Sequence, residues 1–180
     1  MNDKTWNPKF TPSYTPKEML ELGVFEGKYI NNIKGLPSSW KSLPKVLGPK
    51  DEPDPKLNKF EVKSRQPLSK WKENEWIKSD ANGWFHFYCL YFLGRRLGKE
   101  DDWQIGRWAS FVARHQGQIN ANCSLTDNKC RPIQRQALLQ WGWDSSTKFT
   151  DEQRIKNLKQ FTSNEFIAKE SLAEPPIASW

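Results

Sequence analysis

The chain has 180 residues, ten tryptophans, ten phenylalanines and a formal net charge of +7, a composition that suits one domain with a core of large rings. Its longest apolar run, at 84–93, is much shorter than the roughly 20 residues needed to span a bilayer, which argues against a membrane protein. We expect a single domain over residues 1–180, basic enough to bind an anionic partner.

The N-terminal residues predict an extended arm followed by a short helix. Residues 1–14 combine prolines with isolated aromatic side chains, which is typical of a segment that lies over the domain and is attached by its rings. Thr15 is a suitable N-cap, Pro16 suits the first helical position, and Glu18 completes a capping box. We expect this helix to end at Gly23, because glycine favours the C-terminal end of a helix.

Two segments further along favour a minor extended or β element. Residues 24–30 and 59–63 suit two short strands, and pairing between them would make a small hairpin-like sheet. Between them, residues 31–57 hold five prolines and many lysines, so neither a helical nor a strand period survives. We interpret 31–57 as a long Pro/Lys-rich loop.

Residues 83–143 are the expected central helical core, which we interpret as three consecutive helices. The first, at 84–93, is apolar nearly all round, and a helix without a polar face has to be buried by its neighbours. The second begins near Lys99 with acidic residues in its first turn, where the helix dipole favours negative charge. The third begins near Pro132 and ends at Gly142. Inward-facing positions of the second helix recur at helical spacing, namely Ile105, Trp108, Val112 and Ile119.

The C-terminal part predicts one further helix and an irregular tail. Thr150 and Gln153 make a second capping box, which begins a helix with an apolar stripe. Residues 172–180 contain two consecutive prolines and cannot continue as a helix. The predicted fold is therefore mainly α, a compact aromatic-rich helical domain with a minor extended or β element in the N-terminal third.

The basic residues change from lysine to arginine in the central core, and this change is the best functional signal in the chain. Between residues 95 and 135 there are six arginines but only two lysines. Arginine has a planar fork that binds phosphate at two places, and glutamine can reach base edges. The pattern indicates an anion or nucleic-acid surface formed by Arg95, Arg96, Arg107, Arg114, Arg131, Arg135, Gln104, Gln118 and Gln134.

A structural role for the same arginines is the alternative. They can pair with acidic neighbours such as Asp101, Asp102, Asp127 and Asp144, or cover aromatic faces through cation–π contacts. The chain has no helix-turn-helix, zinc-finger or RNP signature that would favour nucleic acid, so the sequence leaves both interpretations open.

A catalytic set would combine His115 with an acid from Asp101 or Asp102 for proton transfer. A lone histidine beside an apolar stripe is more often a hydrogen-bonded core residue. The chain also lacks the P-loop, dinucleotide-binding, nucleophile-elbow and zinc-protease motifs. The catalytic residues therefore stay unassigned, and the sequence does not decide whether the protein is an enzyme.

The spacing of histidine and cysteine raises a metal site as a further possibility. His86 and Cys89 lie three positions apart on one helical face, and Cys123 and Cys130 flank a polar loop. This spacing matches no recognised ligand pattern, and thiols buried in an aromatic core are usually inert. We expect neither a metal nor another cofactor.

The cysteine count and the first residues predict the cellular location of the protein. Three cysteines are an odd number, and residues 1–6 lack the apolar stretch of a signal peptide. We therefore expect free thiols and a cytoplasmic location. The aromatic residues near the two ends are Trp6, Phe10 and Trp180. They offer a surface for a protein partner unless they pack on their own domain.

Several stretches of the chain resemble a group of uncharacterised short hypothetical proteins from large-genome phages and other viruses. The similarity spans most of residues 15–143. It lies in residues 15–20, 23–25, 83–96, 104–108 and 131–139. The resemblance implies a viral origin and a host-cell cytoplasm. It implies no function and no site, because no activity is established for that group.

The function predicted from the sequence is an intracellular phage or viral protein that binds DNA or RNA through arginine-bearing helical faces. One alternative is an enzyme acting on nucleic acid or a nucleotide, with the arginines as a phosphate clamp and His115 for proton transfer. Another is an interaction or structural protein that binds a host or virion partner. The oligomeric state is not predicted.

Overall fold

A computed structural model describes residues 5–30, 33–63 and 83–146 of the chain. These residues form a mainly helical domain without a strand, and the helix predicted after Thr150 and the tail at 172–180 lie outside them. Two 3-10 turns lie in the N-terminal part, at Phe25–Gly27 and Pro55–Leu57. The α-helices are α1 (Pro16–Leu22), α2 (Ser38–Lys41), α3 (Trp84–Phe92), α4 (Lys99–Asn122) and α5 (Pro132–Gln140).

Helix α1 begins and ends as its local sequence predicts. The Thr15 hydroxyl accepts a hydrogen bond from the Glu18 amide at 3.2 Å and donates to the Glu18 carboxylate at 3.0 Å. Gly23 ends the helix with a φ of 108°, and a Cβ at this position would lie 2.1 Å from the Leu57 carbonyl oxygen. Both the positive φ and this close approach require glycine.

Helix α3 lies at the centre of the core, and all of its residues except His86 are buried. Helices α1 and α4 both pack against it. Two of its polar side chains have partners inside the domain: the Tyr88 hydroxyl donates to the Tyr14 carbonyl at 2.6 Å, and the Trp84 indole donates to the Gln104 carbonyl at 3.2 Å. Burial of these two groups therefore carries no large polar cost.

The N-terminal arm is packed into this core. Trp6 is 3% exposed and Phe10 is fully buried. The ring of Phe10 meets those of Trp84, Tyr88 and Trp108 edge to face, with centroids 6.0, 5.2 and 5.0 Å away. These two aromatic residues are thus held by their own domain and do not offer their rings to a partner. Trp180 lies outside the described residues.

The strands predicted for 24–30 and 59–63 are not formed. Phe25, Glu26 and Gly27 have positive φ values of 55°, 55° and 82°, so the backbone turns here and is not extended. The two segments still lie side by side, because the Lys59 amide donates to the Gly23 carbonyl at 3.0 Å. The structure therefore does not show the predicted β element, although the two segments that were expected to pair are neighbours.

Helix α4 is the longest described helix, with 24 residues, and α5 packs along its C-terminal half. A disulfide between Cys123 and Cys130, with a Cα–Cα distance of 5.8 Å, joins the end of α4 to the approach to α5. The expectation of free thiols is wrong for these two residues and holds for the buried Cys89. Among the described helices, none has the length and apolar character needed to cross a bilayer.

Candidate nucleic-acid interface

Polar and aromatic side chains recur every three or four residues along one side of α4, so they share one face of that helix. The start of α5 and the residue after its end lie against this side. We call the combined surface the α4–α5 face. It consists of Arg107, Phe111, Arg114, His115 and Gln118 of α4, Arg131 and Gln134 at the start of α5, and Trp141 after its end.

A row of aromatic rings runs from the core to this face. Trp84 stacks on Trp141 with centroids 4.8 Å apart, and Trp141 stacks on Phe111 at 4.5 Å with only 12° between the ring planes. The imidazole of His115 continues the row at 4.2 Å from Phe111. Trp84 is buried and the other three rings are half-buried, so the row connects the core to the surface and fixes the position of His115.

The polar groups of the face are linked by hydrogen bonds around His115. Its Nδ1 lies 2.9 Å from the Gln134 side-chain nitrogen, and its Nε2 lies 3.4 Å from an Arg114 guanidinium nitrogen. The Gln134 amide also donates to the Gln118 side-chain oxygen and accepts from Arg131 at 3.2 Å. Both helices therefore contribute to one connected polar cluster.

Electrostatics favour the neutral form of His115. Its partial burial lowers the pKa below the usual value of 6.5, and the positive charge of the neighbouring Arg114 lowers it further. No carboxylate lies within ion-pair distance of Arg114 or Arg131 among the described residues. The face thus carries guanidinium charge that acidic side chains of the described chain do not neutralise.

Arg107 lies at the inner edge of the same face. One of its guanidinium nitrogens donates to the Gln104 side-chain oxygen at 3.0 Å. The guanidinium lies 4.8 Å from the Trp103 ring centroid and 5.5 Å from that of Trp141, which is cation–π distance. Gln104 itself is 4% exposed, so it orients Arg107 and does not reach a ligand.

Arg95 and Arg96 belong to another part of the surface, because they precede the first turn of α4. Arg114 lies about four turns further along, or about 22 Å along the helix axis. Arg96 stacks 3.7 Å from the Tyr91 ring centroid, and its guanidinium donates to the Thr5 and Tyr91 carbonyls at 3.1 and 2.7 Å. It anchors the N-terminal arm to α3.

Arg135 is the arginine whose position differs most from the predicted surface. It is fully buried, and its guanidinium donates to the carbonyls of Cys130, Leu125 and Ser124 at 2.8, 2.9 and 2.9 Å. The side chain therefore holds the loop closed by the disulfide. We leave Arg135 out of the proposed interface for this reason.

The residues considered for catalysis are not brought together. Asp101 and Asp102 lie in the first turn of α4, about 20 Å along the axis from His115. Asp101 is 5% exposed, one of its oxygens accepts from the Leu97 amide at 2.7 Å, and burial raises its pKa. Asp101 therefore shapes the connection between α3 and α4. Because of the distance along the helix, neither Asp101 nor Asp102 can exchange a proton directly with His115.

The residues considered for a metal site do not form a set of ligands in the described part of the chain. Cys123 and Cys130 use their sulfur atoms in the disulfide, which removes both as thiolate ligands. Cys89 is fully buried in α3. Within the described residues, no group of three or more histidine, cysteine or acidic side chains is placed to hold a metal ion.

Two aromatic residues at or beside the α4–α5 face are not among the site residues predicted from the sequence. They are Trp141, which belongs to the face, and Trp103, whose ring lies at cation–π distance from Arg107. A signal for Trp103 does exist, because it precedes Arg107 by four positions and so lies beside it on a helix. The position of Trp141 depends on how α5 packs against α4, which no local pattern contains.

Comparison of the chain with protein-family models, with curated protein sequences and with solved structures finds no match in any of the three.

Proposed function

We propose that the protein binds nucleic acid through the α4–α5 face. The observation that carries this proposal is the grouping of Arg114 and Arg131, both exposed and without a carboxylate at ion-pair distance in the described chain, around His115 and a row of half-buried rings. Guanidinium groups neutralise phosphates, and rings with amide side chains suit bases. The net charge of +7 adds a general attraction for a polyanion.

The nature of the face favours a binding protein over an enzyme. The side chains of the face lie along one side of a long helix, and the acids considered for proton transfer lie about 20 Å from His115 along it. A protein that only binds a nucleic-acid backbone needs correctly spaced cations and hydrogen-bond donors for the phosphates. A phage or viral origin and a cytoplasmic location stay predictions from the sequence.

The test is the binding of a fluorescently labelled 20-nucleotide single strand and of its duplex, measured by anisotropy over a range of salt concentrations. Arg114→Ala with Arg131→Ala is the test variant. Lys50→Ala with Lys56→Ala is the matched control, because it removes the same charge from exposed positions in the loop at 31–57. Both variants leave buried side chains untouched.

We expect the arginine variant to lose about tenfold or more in affinity, and its plot of log affinity against log salt to become shallower by about two units. The lysine variant should change both quantities much less. Equal losses in the two variants would mean that binding depends on net charge alone, and would remove the α4–α5 face as the interface.

A further inference from the structure

Both ring nitrogens of His115 face groups that donate hydrogen bonds. Nδ1 is 2.9 Å from the Gln134 side-chain nitrogen, and Nε2 is 3.4 Å from a guanidinium nitrogen of Arg114. A neutral imidazole has one accepting and one donating nitrogen. With the Gln134 nitrogen facing Nδ1, one of the two approaches brings donor against donor, whereas an amide turned to face Nδ1 with its oxygen would remove the conflict.

Arg131 fixes that orientation. Its guanidinium can only donate, and it lies 3.2 Å from the Gln134 side-chain oxygen. The Gln134 nitrogen must then point the other way, where it donates to His115 Nδ1 and to the Gln118 side-chain oxygen. We assign the imidazole proton to Nε2 on this basis, since Nδ1 already accepts.

His115 Nε2–H and the neighbouring Arg114 N–H are therefore two donors whose nitrogens lie 3.4 Å apart, with no acceptor between them among the described residues. We propose that this pair binds one oxygen of a phosphate group, which accepts a hydrogen bond from each. The inference deepens the proposed function, on which it rests, by naming the atoms that hold a backbone phosphate. In this arrangement Gln134 is a positioning residue that acts through His115.

The same hydrogen bonds keep His115 neutral. Protonation at Nδ1 would set a second donor against the Gln134 amide, and rotation of that amide would break its bond to Arg131. The charged groups nearest the imidazole are Arg114 on α4 and, beyond Gln134, Arg131 on α5, and both oppose a further positive charge. Burial and Arg114 also lower the pKa of His115. Phosphate binding by this pair therefore does not require acidic pH.

The first experiment is a titration of the full-length protein with inorganic phosphate at pH 7.5, followed by nuclear magnetic resonance of the histidine ring nitrogens and the arginine side chains. Before phosphate is added, we expect the His115 signals of a neutral ring protonated at Nε2. Phosphate should then shift the signals of His115 and Arg114 together. A ring protonated at Nδ1, or no shift at either residue, would overturn the inference.

The second experiment compares two substitutions of His115 in the binding of the labelled 20-nucleotide strand. His115→Gln keeps an N–H donor near the position of Nε2, whereas His115→Ala removes it. We expect His115→Ala to lose about tenfold in affinity, the usual effect of a lost hydrogen bond to a charged group, and His115→Gln to lose less than about threefold. Equal losses would show that the ring acts by packing alone, and would overturn the inference.

The third experiment tests the role of Gln134 by measuring how the pH dependence of oligonucleotide binding changes in a variant of this residue. The affinity of the wild type should change less between pH 5.5 and pH 8 than that of Gln134→Glu, because burial and Arg114 lower the pKa of His115. Gln134→Glu offers Nδ1 an acceptor, which favours the imidazolium, so its affinity should become higher at pH 5.5 than at pH 8. Equal pH dependence in the two proteins would contradict this positioning role.

These outcomes separate the inference from the proposed function. If the oligonucleotide binds through Arg114 and Arg131 but phosphate leaves the His115 signals unchanged, the donor pair is overturned and the interface stands. If phosphate shifts the signals of both His115 and Arg114 but no oligonucleotide binds, the pair is supported as a phosphate site and the nucleic-acid function fails.

Discussion

The Nε of Arg135 donates a hydrogen bond to the Cys130 carbonyl oxygen at 2.8 Å, across the disulfide that Cys130 makes with Cys123. The remaining guanidinium nitrogens donate to two further carbonyls of the same loop and to the Ser145 hydroxyl. One buried side chain therefore satisfies three backbone carbonyls of this loop. The approach to α5, and with it the position of Arg131 and Gln134, depends on this arrangement.

We expect Arg135→Met to lower the free energy of unfolding by about 3 kcal/mol or more, because it leaves buried carbonyls without donors at about 1–3 kcal/mol each. Urea denaturation followed by tryptophan fluorescence measures this change. Arg114→Met is the matched control, since Arg114 is exposed, and it should change the same quantity by about 0.5 kcal/mol or less. Similar small losses in both variants would contradict the structural role of Arg135.

Removal of the disulfide should destabilise the protein without abolishing its fold. Cys123 and Cys130 close a loop with a sequence separation of 7, for which chain entropy predicts about 2.5 kcal/mol. Cys123→Ser with Cys130→Ser should lower the free energy of unfolding by about this amount, and Arg135 should keep the folded loop in place. Denaturant unfolding of the variant and of the wild type without reductant measures the difference.

A thiol titration checks the premise of that experiment. The denatured, unreduced wild type should expose one reactive thiol, that of Cys89, and reduction should raise the number to three. Three thiols before reduction would mean that Cys123 and Cys130 are not bonded, and the expected loss of stability would then not apply.

The helices that the sequence predicts correctly are those whose signals are local. Thr15 and Glu18 form the cap of α1 through contacts three residues apart, and the apolar run in α3 forces burial whatever surrounds it. Spacing along α4 likewise places Arg114 and Gln118 on one side. The α4 residues of the α4–α5 face were therefore predictable one by one, since their positions follow from helical periodicity, whereas Trp141 was not.

The incorrect expectations depend on contacts between distant segments. Arg131 and Arg135 are four positions apart and look equivalent on a helix, but only Arg135 lies under the disulfide-closed loop and is buried. The positive φ of Phe25 and Glu26 accompanies packing against the segment around Asn58, which accepts from the Glu26 amide at 2.8 Å. Neither outcome is present in the local pattern, because each is decided by tertiary structure.

Two glycines inside α4 offer a way to stabilise the protein without altering its core. Beyond the neighbouring backbone of α4, an added Cβ at Gly106 or Gly117 would have no atom of the described residues within 4 Å, and both positions are exposed. Gly106→Ala and Gly117→Ala should each raise the free energy of unfolding by about 0.5–1 kcal/mol, since alanine loses less backbone entropy in a helix. Gly23→Ala is the opposite control and should destabilise, because its Cβ would collide with the Leu57 carbonyl.

The buried carboxyl group of Asp101 should make stability depend on pH. One of its oxygens accepts from the Leu97 amide at 2.7 Å, while the other is buried without a hydrogen-bond partner in the described chain. Burial raises the pKa of Asp101 above its ordinary value of 3.8, and the Leu97 amide, Arg96 and Arg95 only partly oppose this change. The folded protein therefore holds the proton more tightly than the unfolded chain does.

A raised pKa in the folded state gives a stabilising contribution that is complete below the unfolded pKa of 3.8 and is lost as the pH rises through the folded value. The side chain introduced by Asp101→Asn cannot ionise, so the substitution changes stability by an amount that does not depend on the charge of residue 101. The free energy of unfolding of the variant minus that of the wild type should therefore increase from pH 3.5 to pH 6.5. Urea unfolding of both proteins at these two pH values measures the change, and Asp102→Asn controls for the loss of a charge at the same helix end. A stability difference that stays constant, or that falls with rising pH, would show that the Asp101 carboxylate is better solvated in the folded protein than its burial implies.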